Sequence, residues 1–274
     1  MYFIKAIISN MIWGVTPIYF YYLSDVDAYT FLAMQIITTF GWLMVFYRHE
    51  FSLSSIKYSL LSAILLMSNW AVYLLAIINN KTMEASLGYM IMPLITMFFG
   101  MLFLKEGFSA YQIVGALICV VGLSFDIIIS GVVPLYGILI ALTFSLYIFS
   151  HKVKNRNSPI ASLKYETLLM LPLALLLLLK SDGGIDMISS EGFLLLFLGV
   201  VVVFPLALFV RAAKEITMIK LGMTQLISPI TVAFVSVFFF GEAITGARLI
   251  TLVCLVTGLF FMTFFKTRTP SAVR

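Results

Sequence analysis

Three uncharged polar side chains, Gln35, Asn69 and Gln225, stand in the middle of long apolar runs, with Asn10 shallower in the first of them. An amide surrounded by hydrocarbon has no water to bond, so each must find a partner in the protein or in a solute. Asn69 is followed by Trp70 and, four residues on, by Tyr73, a spacing that puts amide and phenol on one face of a helix. A hydrogen-bonding head beside aromatic walls is what a zwitterionic or amide-bearing solute requires. Trp13, Tyr89 and Tyr147 are similarly deep in their runs. The candidate solute-binding set is therefore Trp13, Gln35, Asn69, Trp70, Tyr73, Tyr89, Tyr147 and Gln225. The competing reading for each is hydrogen bonding between helices or ordinary packing.

Charged side chains offer less chemistry. Glu84, Glu106, Asp126, Glu166, Arg211 and Glu242 each fall at, or within about two turns of, the end of an apolar run. Glu166 differs in one respect. The run it precedes, residues 167–179, is too short to cross a bilayer alone, so Glu166 must enter the membrane edge while Lys180 snorkels out. That makes Glu166 a candidate coupling group, with a headgroup anchor as the alternative. The two histidines, His49 and His151, lie at run ends and far apart, so neither His-x-x-x-His nor His-Glu-x-x-His is available. There is no Gly-x-Ser-x-Gly elbow and no phosphate loop. Enzymatic chemistry, a metal and a cofactor are not expected.

The elements that must position these residues follow from composition. The 274 residues are 62% hydrophobic and 11% charged, against roughly 25% charged in a soluble domain. A bilayer core needs about 20 helical residues. Runs of that order occupy residues 6–22, 28–47, 58–79, 85–104, 107–125, 127–150, 192–210, 221–241 and 249–265, and the shorter run at 167–179 makes ten. These runs are too long and unbroken for the alternating strands of a membrane barrel. The fold class is an all-α integral membrane protein with ten transmembrane helices. Lys5 opens the first run as in a secretory signal, but no small-residue cleavage site follows Tyr22, so that helix is expected to stay.

All but three of the 17 Lys and Arg (the exceptions are Lys81, Lys180 and Arg248) fall on the side that an even number of spans assigns to both termini. The positive-inside rule then places both termini in the cytoplasm, in a cytoplasmic (inner) membrane. The net charge of +5 is scattered, not clustered, so nucleic acid is not an expected partner. Cys119 and Cys254 sit in apolar runs and read as small packing residues.

Sliding the chain by 136 residues aligns Ala76 with Ala212, Pro93 with Pro229, Glu106 with Glu242 and Gly122 with Gly258. The matches fall at equivalent places in two five-helix halves, residues 1–130 and 131–274. Five is odd, so the second half must enter from the opposite side, an inverted repeat of the secondary-transporter kind. Pro93 and Pro229 are candidate paired hinges, because proline removes a backbone donor and strains the helix at the carbonyl four residues back. Gly115 and Gly122, with Thr251 and Gly258 in matching places, form small-residue stripes suited to scaffold packing or to a homodimer surface.

Several runs carry a resemblance: Ile12-Trp13-Gly14-Val15-Thr16-Pro17-Ile18-Tyr19-Phe20, Asn69-Trp70-Ala71-Val72-Tyr73, Glu84-Ala85-Ser86-Leu87-Gly88-Tyr89, Met92-Pro93-Leu94, Leu104-Lys105-Glu106, Glu166-Thr167-Leu168-Leu169-Met170-Leu171-Pro172 and Phe240-Gly241-Glu242. Together they resemble the RarD-type branch of the EamA transporters, in the drug/metabolite transporter superfamily. Met92 stands where that branch usually has an Asn. The resemblance implies ten helices in two inverted halves and a small organic solute, an amino acid or similar amphipathic metabolite or a drug. The expected function is a secondary transporter working by alternating access, with a channel or facilitator as the alternative. The expected partners are the solute and the bilayer.

Overall fold

A computed structural model describes residues 1–47, 53–131, 133–153, 157–181 and 191–264. Its helices are α1 (Tyr2–Tyr21), α2 (Ala28–Phe46), α3 (Leu60–Ile78), α4 (Thr82–Leu104), α5 (Ala110–Ser130), α6 (Leu135–Val153), α7 (Pro159–Leu178), α8 (Gly192–Glu215), α9 (Met218–Gln225), α10 (Ile227–Phe238) and α11 (Gly246–Phe264). A short 3-10 turn over Leu53–Tyr58 precedes α3. Taking α9 and α10 as one broken span, ten segments among the described residues are long and apolar enough to cross a membrane. The protein is an all-α membrane protein.

Helix starts follow local capping chemistry. Asp27 accepts from the amides of Tyr29 and Thr30 at the start of α2, and Ser109 and Gln112 form a reciprocal capping box on α5. Burial pushes the Asp27 carboxyl up. Hydrogen bonds from Thr30, Ser181 and Tyr29 more than offset this and hold it below the ordinary aspartate range. Ser158 caps α7 and Pro159 occupies its first turn, where a missing N–H costs nothing.

Three expected boundaries move. The seventh helix begins at Pro159 rather than residue 167, because both charges in its first half are satisfied inside the protein. Lys164 donates to the Tyr47 carbonyl, and Glu166 is enclosed by hydroxyls. Glu166 is therefore not a headgroup anchor. It lies two turns inside α7 with no exposure. The division between the fifth and sixth spans lies not at Asp126 but at Gly131, whose φ of 64° ends α5. Asp126 is tolerated within α5 because it is buried against Arg248, with Oδ2 3.4 Å from Nε. The eighth span likewise runs past residue 210 to Glu215.

Helix packing has a regular correspondence. α4 packs on α6 as α9 and α10 pack on α1; α3 packs on α6 as α8 packs on α1; and α2 packs on α8 as α7 packs on α3. α5 with α11, α2 with α7 and α4 with α9 are pairs that map onto themselves when the first and second five spans are exchanged. The small-residue stripes are used within the chain. A Cβ on Gly115 would meet the Gly258 carbonyl at 2.5 Å and one on Gly122 would meet the Cys254 Cβ at 2.5 Å, while the Thr251 hydroxyl donates to the Gly122 carbonyl at 2.8 Å. They weld α5 to α11.

Candidate functional site

The two prolines related by the 136-residue offset act on the residues four positions back: Tyr89 precedes Pro93, and Gln225 precedes Pro229. Around Pro93, α4 continues unbroken to Leu104. Around Pro229 the span divides, with α9 ending at Gln225 and α10 starting at Ile227. Gln225 is 3% exposed, and neither its amide nitrogen nor its amide oxygen has a hydrogen-bond partner among the described residues. An unpaired buried amide costs about 1–3 kcal/mol, so it marks a place where a ligand or water is wanted. Gly222, one turn earlier, lets α9 come close to α4, since a Cβ there would meet the Pro93 carbonyl at 2.6 Å.

The other candidate residues fall into separate groups rather than one pocket. Tyr89 is 41% exposed and its ring stands 6.2 Å from that of Tyr73. Asn69 is occupied: its Nδ2 donates to the Ile140 carbonyl at 2.9 Å and to Thr143 Oγ1 at 3.0 Å, tying α3 to α6. Trp70 lies half-buried against the main core cluster, and Gln35 is buried on α2. Asn10 donates to the Ala6 carbonyl at 2.7 Å and reaches Thr224 Oγ1, beside Gln225, at 3.4 Å. Trp13 packs on Phe144 (5.9 Å between ring centroids) and Phe209 (5.2 Å), and Phe144 leads on to Tyr147 at 5.7 Å.

Tyr147 ends in a second polar cluster. Its hydroxyl donates to Glu166 Oε2 at 3.0 Å, Ser62 Oγ donates to Oε1 at 2.5 Å, and His151 Nε2 stands 2.9 Å from Oε1 at ion-pair distance but out of line for a hydrogen bond. Glu166, Tyr147 and His151 are at most 1% exposed. His151 and Ser62 were not among the sequence candidates. The four-residue spacing of Tyr147 and His151 on one helical face was a usable signal; Ser62, more than 100 positions from Glu166, carried none.

The third feature concerns the helix ends. Lys105 at the end of α4 and Gly241 at the end of α10 are both left-handed, with φ 52° and 67°. The next residue bonds back identically in each case, Glu106 N to Gly100 O at 3.1 Å and Glu242 N to Ser236 O at 3.0 Å. The backbones match across the 136-residue offset, but the side chains do not. Glu106 Oε1 and Oε2 accept from the amides of Met218 (2.9 Å) and Ile219 (3.0 Å), the first two residues of α9. These are orphan donors at the positive end of a helix, a favourable seat for a carboxylate. Glu242 is exposed, and the positions its carboxylate would reach by the same offset, Thr82 and Met83, begin a helix with no side-chain cap.

Ten membrane-length spans among the described residues, enclosing buried polar groups, define a polytopic α-helical membrane protein. Within that class the chain belongs to the EamA-like transporter family, whose pattern it matches twice, over residues 1–127 and 132–264. It is 32% identical over 282 residues to the uncharacterized transporter YojE of Bacillus subtilis (strain 168), covering 97% of this chain and 94% of that one. It is 28% identical over 261 residues to protein RarD of Escherichia coli (strain K12), covering 90% and 88% respectively. A solved crystal structure shares the fold at a TM-score of 0.78 and 17% identity, over 97% of this chain and 98% of that chain.

Proposed function

We propose that this membrane transporter is a secondary carrier of a small amphipathic solute, working by alternating access between two inverted five-helix repeats. The observation that carries the reading is an asymmetry between spans related by the repeat. α4 packs closely on α9 but barely touches α10, so the fourth and ninth spans diverge from the end of the bundle holding the start of α1 toward the opposite end. Glu106 latches the closed end onto α9, while Glu242 stands free at the open end. Two chemically equivalent gates in different states are what a rocking repeat requires. In the opposite state Glu242 would cap α4 at Thr82 and Met83, as Glu106 now caps α9. Basic residues favour a cytoplasmic location for the latched end, which makes this an outward-facing arrangement in the inner membrane.

Gln225 and the Tyr73–Tyr89 pair are the lining the solute would meet, with Pro93 and Pro229 as the bending points beside them. A thermal-shift screen of the purified protein against amino acids, nucleotides and amphenicols, followed by counterflow in liposomes for each hit, tests the reading. Saturable counterflow is expected; flux without saturation or exchange would make it a channel. Orientation is checked separately. A cysteine at Ser189, outside the described residues, should react with an impermeant maleimide in intact cells, and labelling at Ser158 instead would reverse the topology.

A further inference from the structure

We infer that the buried cluster of Glu166, Tyr147, His151 and Ser62 is the binding site for a coupling proton, a reading that rests on the transporter function proposed above. An ionisable group enclosed within a transmembrane bundle is expensive, and such groups mark ion or proton pathways. Here three side chains from two other helices converge on one carboxylate: Ser62 from α3, and Tyr147 and His151 from α6.

The cluster has a hydrogen-bond arrangement ready for each protonation state. With Glu166 ionised, Ser62 and Tyr147 each donate to one carboxylate oxygen. Ser62 Oγ also stands 3.1 Å from the Ser59 carbonyl. When a proton adds to Glu166 Oε1, the new O–H can donate to Ser62 Oγ, and the serine proton turns to the Ser59 carbonyl. A hydroxyl both donates and accepts, so neither the Glu166 carboxyl nor the Ser62 hydroxyl is orphaned in either state. His151 is the adjacent relay. Its Nε2 stands 2.9 Å from Oε1 and its Nδ1 has no hydrogen-bond partner among the described residues, so a turn of the ring that brings Nε2 into line would let the imidazole pass a proton to the carboxylate without breaking another bond.

The other charged groups on the elements packed around the cluster are held elsewhere or exposed. α2 and α3 carry no charged residue. On α6, Lys152 is held by the Ala213 and Ile216 carbonyls; on α7, Lys164 is held by the Tyr47 carbonyl; on α8, Lys214 is held by the Asn157 carbonyl and is within electrostatic reach of Glu166, while Arg211 and Glu215 are exposed. Lys57 of the 3-10 turn is exposed and stacks over Tyr58. Lys154 and Arg156 lie outside the described residues. Changing the charge of an enclosed group is costly unless the enclosure changes with it. Tyr147 provides that link, through Phe144 to Trp13 of α1, and the neighbouring Gly14 lies against Thr231 of α10, the outer half of the broken span.

Infrared difference spectra recorded across a pH jump on the purified full-length protein read the proton directly, with no solute needed. The expected result is a carboxylic-acid carbonyl band from a water-poor site, absent in Glu166→Gln, present in Glu215→Gln, and shifted in its midpoint by roughly one pH unit in His151→Gln, a tenfold change in proton affinity. Trp13 fluorescence should titrate with the band. A band that survives in folded Glu166→Gln, or a wild-type protein with no such band, would overturn the proposal. If Glu166→Gln does not fold, the His151→Gln midpoint decides: an unmoved midpoint overturns it. Once a solute is known, accumulation in liposomes should follow an imposed pH gradient in wild type and not in Glu166→Gln. Uphill uptake by Glu166→Gln that still tracks the pH gradient would sink the proton site while leaving the carrier reading intact; flux without saturation or exchange, in a protein that keeps the Glu166 band, would do the reverse.

Discussion

The fourth and ninth spans are the same piece of chemistry in two conformations. Each has a proline in its middle, a side chain of solute-binding type one turn before it, and a left-handed residue followed by a glutamate at its end. Yet one span is a continuous helix with its terminal glutamate engaged, and the other is split with its glutamate exposed. The difference does not come from the proline, which both share. It comes from what surrounds each one. Pro229 sits where α9 is held against α4 and α10 is left to diverge, so the strain at the Gln225 carbonyl is released as a break.

That comparison is broken most forcefully by removing its prolines. Pro229→Ala should join α9 and α10 into one helix and raise stability by up to about 3 kcal/mol, seen as a higher thermal midpoint, while slowing turnover in liposomes. Pro93→Ala acts on a helix that is already continuous and should gain less. Normal turnover in the double variant would remove the hinge role from both.

Gln225→Leu removes a buried amide that has no partner and should stabilise the protein by about 1–3 kcal/mol while abolishing solute-induced thermal shifts. Tyr89→Phe, at the equivalent but exposed position, should leave stability unchanged and weaken binding only modestly. Equal effects of the two substitutions would mean that the spans are not functionally distinct in this state.

Glu106→Ala leaves Thr217 as the side-chain cap of α9 but strips the acceptor from its first two amides and should cost about 1–2 kcal/mol in thermal unfolding, whereas Glu242→Ala should cost almost nothing. The two variants should then exchange roles kinetically, with Glu242→Ala slowing the half-cycle that closes the opposite end. A stability loss from Glu242→Ala as large as that from Glu106→Ala would show the latch to be engaged at both ends.

The smallest effect concerns the left-handed residues. Lys105→Gly relieves a side chain held at φ 52° and should gain about 1 kcal/mol, while Gly241→Lys should lose a similar amount. Midpoints of thermal unfolding for the pair measure how closely the two helix ends share one geometry.

What could be read in the sequence was local or periodic. Ten spans were visible because each must satisfy its own backbone within the bilayer, which leaves an apolar run as its mark. The pairing of Pro93 with Pro229 and of Glu106 with Glu242 was visible because a repeat keeps its offset. The short seventh run misled because Lys164 and Glu166 look like solvated charges until their partners are known. Asn69 shows the same limit from the other side. As a deep amide it reads as a solute contact, and only the α6 carbonyl 71 positions away reveals that its nitrogen is tied to another helix.

Ten runs of membrane length and a 136-residue repeat offset could be read along the chain, since hydrophobic length and repeat spacing are properties of consecutive residues. Tertiary structure alone decided which polar groups are satisfied and which are left waiting. Glu166 meets Ser62 across 104 positions, Glu106 reaches amides 112 and 113 positions away, and the Gln225 amide meets no hydrogen-bond partner among the described residues. A hydrogen bond is set by where two helices cross, and no rule written along one helix fixes where another will pass.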